Sequence, residues 1–192
     1  GDNLPYLDFG TGKSVVKITA GTNHNCALLD SGEVKCWGDN ATGVLGLEHT
    51  KDRGNAKFEM GDFLPAISLG TNRTILQVVA GAKHTCALLD DGSVKCFGGN
   101  TYGQLGQGNT TTIGDNPNEM GNNLSAIDLG TGRFALSIAA GDNFTCALLD
   151  DRSLKCFGDN SSGQLGLGDT NNRGDNPGEM GDNLPAINLG ST

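Results

Sequence analysis

Apolar and polar residues alternate in short bursts along this chain, and no stretch holds a helical period of 3.6. The sharpest burst appears three times. Its first copy is Cys26-Ala-Leu-Leu-Asp-Ser-Gly-Glu-Val-Lys-Cys36-Trp37-Gly38, and the others run from Cys86 to Gly98 and from Cys146 to Gly158. Each copy predicts a β-hairpin: a short apolar strand, an Asp-rich turn, then an alternating strand ending on an aromatic. A three-residue turn over Asp30-Ser31-Gly32 places Gly32 in the left-handed region and closes a bulge. That turn sets Cys26 opposite Cys36, and the equivalent turns set Cys86 opposite Cys96 and Cys146 opposite Cys156. Opposed Cβ atoms lie about 4.5–5.5 Å apart, nearly close enough for a disulfide. Arg152 stands where the other copies have glycine, which predicts a strained turn or one of another type.

Two further strands precede each hairpin. Segments such as Leu64-Pro-Ala-Ile-Ser-Leu69 alternate after a proline, as an edge strand does. Ser14–Gly21, Thr74–Gly81 and Phe134–Gly141 are more uniformly apolar and end on small residues, which predicts a strand packed on both faces. The fold class is all-β, with four-stranded antiparallel blades in tandem. Sliding the chain by 60 residues aligns it with itself without a gap, giving units 1–60, 61–120 and 121–180; residues 181–192 restart the unit. A long fixed period signals a propeller or solenoid. Gly1-Asp-Asn begins in mid-pattern, as a processed or partial chain would.

Six cysteines in three equally spaced pairs suit an oxidising compartment, with buried free thiols as the alternative. Nine intervening residues match no zinc-finger spacing. The formal net charge of −9 disfavours nucleic acid, and no apolar run approaches a membrane span.

The stretch Ala80-Gly-Ala-Lys-His-Thr-Cys-Ala-Leu-Leu-Asp-Asp-Gly-Ser-Val-Lys-Cys-Phe-Gly-Gly-Asn-Thr-Tyr-Gly-Gln-Leu-Gly106 resembles the repeat of the regulator of chromosome condensation family. The likeness covers about residues 14–46 of each unit and weakens in the Gly/Asn/Asp-rich connectors. It implies a closed seven-bladed β-propeller, in a family whose functions range from nucleotide exchange on the GTPase Ran to inhibition of β-lactamases. Fold therefore says little about activity. Three blades are too few for closure, which typically takes four to eight, so further blades, other chains or an open stack must complete them.

Catalytic groups do not converge. His24 and His84 precede equivalent strands, Phe144 takes that place in the third unit, and no nucleophile elbow accompanies them. The histidines are expected to be structural hydrogen-bonding residues, and no enzyme activity, cofactor or metal is expected. Gly103-Gln-Leu-Gly106-Gln-Gly108 lacks the Lys-Ser/Thr and the helix of a phosphate loop, so these glycines read as turn residues. Asp169–Met180 imitates a calcium loop but has Arg173 and Met180 at ligand positions, and Arg173-Gly174-Asp175 spells an adhesion tripeptide that composition explains. Sequons at Asn40, Asn72, Asn109, Asn123, Asn143 and Asn160 exceed chance for this composition, although Asn- and Thr-rich turns also generate them. Paired cysteines with sequons point to an extracellular or cell-surface glycoprotein. Two functions fit: a structural scaffold assembling head to tail with itself through its terminal strands, into a filament or coat, or a propeller fragment that binds another protein.

Overall fold

The structure, a computed structural model, describes residue 3 and residues 5–190. Among the described residues nine strands form three sheets: β1 (Val15–Ala20), β2 (His24–Leu29) and β3 (Val34–Gly38); β4 (Ile75–Ala80), β5 (His84–Leu89) and β6 (Val94–Gly98); β7 (Ala135–Ala140), β8 (Phe144–Leu149) and β9 (Leu154–Gly158). Within each sheet the strands follow chain order and run antiparallel. The hairpin register is the predicted one, with Cys26 opposite Cys36, Cys86 opposite Cys96 and Cys146 opposite Cys156. All three pairs are bridged. Gly32 and Gly92 sit at φ +80° and +76°, and Arg152 keeps the same turn at φ +70°. The third turn is therefore of the same type and carries the strain of a side chain in the left-handed region.

The predicted fourth strand is not a strand. Residues 64–69 run beside β3 and contribute one rung, the Ile67 amide donating to the Val34 carbonyl at 2.9 Å. Ile127 to Val94 and Ile187 to Leu154 repeat it, each at 2.8 Å. Pro65 and Pro185 lack an amide, and Ser125, which has one in the equivalent place, makes no further rung. An ammonium, buried on Lys35 and Lys155 and half-buried on Lys95, straps the edge instead: Lys35 Nζ donates to the carbonyls of Phe9 and Gly61, Lys95 to Leu69 and Gly121, Lys155 to Leu129 and Gly181. Each blade is thus three strands with a strapped rim. One segment serves two blades, since Ile67 bonds blade 1 while Leu69 is held by blade 2.

The core lies between blades. Leu28, Val34 and Leu45 of blade 1 pack with Ile75, Val78 and Phe97 of blade 2. Leu88, Val94 and Leu105 meet Ile138, Leu149 and Phe157 in the next joint. The first strand of the middle blade meets both neighbours: a bulge between Ile75 and Gln77 accompanies burial of Ile75 and Val78 against blade 1, while Val79 packs on the next joint and Gln77 Nε2 donates to the Ile138 carbonyl of blade 3 at 2.7 Å; Leu76 stays half exposed. In the middle blade the strand thus packs on both faces, as the apolar run suggested.

Candidate protein interface

The two internal joints share one polar device. His24 Nε2 lies 3.0 Å from Thr85 Oγ1, which donates to the Val44 carbonyl at 2.9 Å. Because the hydroxyl proton is spent on the carbonyl, the imidazole Nε2–H is the donor. His84, Thr145 and the Gln104 carbonyl repeat the relay at 2.9 and 3.0 Å. Burial holds His24 down to about 4 against the opposing pull of Asp39, and holds His84 down to about 3. Both rings are therefore neutral latches. A Cβ at Gly81 would lie 2.1 Å from His84 Cε1, so only glycine leaves room for the ring. The expected structural role of the histidines is the one the geometry shows.

The glycine-rich motif also belongs to the joints. A Cβ at Gly43 or Gly103 would approach the connector backbone of the following unit to 2.4 or 2.3 Å. Asp169 is committed to Arg173 at 2.7 Å and to the Asn171 amide, so the calcium-like loop closes on its own guanidinium and the tripeptide arginine is bound inward. Among the described residues, no group of three His, Cys, Asp or Glu converges as a metal site, and no helix is long and apolar enough to cross a membrane.

The sequon asparagines divide in two. Asn40 and Asn160 are fully buried, and each spends its amide on its own loop. Asn160 Nδ2 donates to the Asp169 carbonyl and Oδ1 accepts from the Leu165 amide; Asn40 does the same with His49 and Leu45. Both stapled side chains have no exposed surface in the folded chain, whereas a glycan needs an accessible Nδ2. Asn72, Asn109 and Asn123 are exposed, and Asn143 is half-buried. Asn100 makes the same staple without a sequon. Sequence reasoning missed this role for Asn100, and missed Thr85 and Thr145; identity or near-identity across the three units was the available signal.

The chain's two end faces are the joints laid open. On blade 1, Val15 and Ile18 are 44% and 66% exposed, where Ile75 and Val78 are 7% and 6%. Leu7 is likewise bare where Ile67 is buried. At the other end Leu189 is 80% exposed against 4% for Leu69, and Cys146, Leu148 and Leu154 are only half-buried. Neither end carries its half of the latch: Asn25 replaces the threonine and Phe144 the histidine.

Tandem antiparallel blades joined by a repeated apolar face define a β-propeller-type repeat protein. Human WBSCR16 shares the fold with a TM-score of 0.64 at 20% identity, over 87% of this chain and 40% of that one. Yeast RCC1 (Prp20), solved bound to Kap60, gives 0.64 at 23% identity over 94% of this chain and 37% of that one. Models of the regulator of chromosome condensation (RCC1) repeat match residues 15–43, 75–104 and 136–164, and, in a longer form, 31–88 and 91–148. The chain belongs to the RCC1 repeat family. The human probable E3 ubiquitin-protein ligase HERC4 is 33% identical over 161 residues, 82% of this chain, which spans 14% of that protein.

Proposed function

We propose that this chain is a non-catalytic protein-binding module whose end faces seat further blades of its own kind. The carrying observation is that Val15, Ile18 and Leu7 lie bare at one end while their equivalents Ile75, Val78 and Ile67 are buried in a joint. Apolar side chains bared together in this way mark a protein contact. A solved protein of this fold, yeast RCC1 (Prp20), binds Kap60, Gsp1p and histones. Ligase activity in HERC4 belongs to a protein of which this chain spans 14%.

A second reading is an extracellular scaffold in which copies join head to tail into a filament or coat. Three bridged hairpins support it, with glycans proposed on Asn72, Asn109, Asn123 and Asn143. Heterologous contacts of this kind give rings or open filaments. Sedimentation velocity with electron microscopy at near-physiological salt tests both readings. Association that Ile18→Asp abolishes, with circular dichroism unchanged, is the expected result. Fibres support the scaffold and rings the module; a monomer indifferent to Ile18→Asp overturns the end-face assignment.

A further inference from the structure

Each internal joint is built from two unlike halves. In the first joint, Leu28, Val34 and Leu45 come from blade 1, while Leu69, Leu89, Phe97 and Met120 come from the blade 2 side. A smaller cluster holds Phe9, Leu29, Trp37 and Met60, the positions of Leu69, Leu89, Phe97 and Met120 one unit earlier. Among the described residues it is the second half of a joint with no first half against it. The positions of Leu28, Val34 and Leu45 recur at the other end of the chain as Leu148, Leu154 and Leu165. There Leu148 and Leu154 are only half-buried, where Leu88 and Val94 are 4% and 1% exposed. Each end of the chain therefore carries the half that the other end lacks.

The rim fits the same join. Within the first joint one rim segment serves both blades: the Ile67 amide donates to the Val34 carbonyl of blade 1, and Lys95 of blade 2 donates to the Leu69 carbonyl. Between two copies, the first of these bonds already exists on one copy, from Ile187 to Leu154, and the second on the next, from Lys35 to Phe9. Only the latch differs. Phe144 takes the histidine's place and Asn25 the threonine's, and both are half-buried. Gly141 still makes room for the ring, since a Cβ there would meet Phe144 as one at Gly81 would meet His84. A phenyl ring has no N–H, so Asn25 Oδ1 receives across such a join nothing like the bond that His24 gives Thr85.

We infer that a second copy seats head to tail on this chain in the register of the internal joints, blade 3 against blade 1, with Phe144 facing Asn25. The apolar halves hold this seam together. The missing donor makes it the weakest of the joints, the one at which an assembly parts and re-forms. This inference rests on the end-face reading and names the occupant and its register.

Variants with one working face test it. Ile18→Asp spoils the blade 1 face and Leu148→Asp the blade 3 face, with circular dichroism reporting that each chain folds. In sedimentation velocity each variant should be monomeric alone, and the mixture should give a species of two chains, because a heterologous contact needs one face from each. Phe144→His on the Ile18→Asp chain supplies the absent donor and should tighten that complex about tenfold. Asn25→Ala on the other chain should cancel the gain. Read in the otherwise unaltered chain, the same cycle decides the register without either blocking substitution. A wild-type monomer indifferent to Ile18→Asp overturns the end-face assignment and the seam with it. Wild-type association that either blocked variant retains alone, or that mixing them does not restore, overturns the seam only and assigns the contact to like ends or to another surface. A complex indifferent to Phe144→His, or a gain that survives Asn25→Ala, overturns the register.

Discussion

Arg152 shows how one residue keeps a turn that its side chain resists. The repeat fixes the turn from Leu149 to Ser153 through the same backbone bonds that glycine makes at positions 32 and 92. The arginine adopts φ +70° because the paired strands and the bridge from Cys146 to Cys156 leave the turn no other path. Arg152→Gly should therefore stabilise the chain by about 0.5–1 kcal/mol, the relief of left-handed strain less the entropy glycine restores to the unfolded chain. Urea unfolding checks it: the midpoint rises with an unchanged slope. The conflict was legible in the sequence, but its resolution was not, because tertiary context decides whether a turn changes type or bears the strain.

At the scale of the element, loops are held by asparagine and edges by lysine. Asn100 has no exposed surface, donates to the Asn109 carbonyl at 2.8 Å and accepts from the Leu105 amide at 3.0 Å. Asn100→Ala strands buried backbone groups and should cost about 3 kcal/mol, read by urea unfolding, with faster hydrogen exchange at the Leu105 amide as the local sign. Hairpins were readable because their register follows from turn length, and Cys26 met Cys36 as counted. The rim was misread as a strand because Leu64-Pro-Ala-Ile alternates like one; the copy with Ser125 in place of proline makes the same single rung, and in all three the rim carbonyls are taken by Lys35, Lys95 and Lys155. The six sequons look alike in the sequence, yet Asn40 and Asn160 are buried where Asn109 is exposed.

At the scale of the whole molecule, the joints make stability depend on acid. His24 and His84 have folded pKa values, about 4 and about 3, below the 6.5 they would show unfolded. The unfolded chain therefore binds more protons through this range, so stability is full above pH 6.5 and falls as pH drops toward those values. Between pH 7 and pH 5 the two histidines together should remove on the order of 3 kcal/mol. Urea unfolding at the two pH values measures it, and replacing both histidines by the phenylalanine found at position 144 should flatten the profile. Partners across a joint lie far apart in sequence, His24 and Thr85 by 61 residues. Single-chain periodicity gave the blades, and only folding showed which faces meet.

The bridges have a mechanical meaning. Each joins cysteines 10 residues apart within one hairpin, so none crosses a joint. Under a pull applied at the two ends, blades would come apart at non-covalent contacts while every hairpin kept a locked loop. At roughly 3.3–3.6 Å per extended residue, each loop withholds about 35 Å of length until its bridge is reduced. The chain's reach under load is therefore set by the redox state of its surroundings.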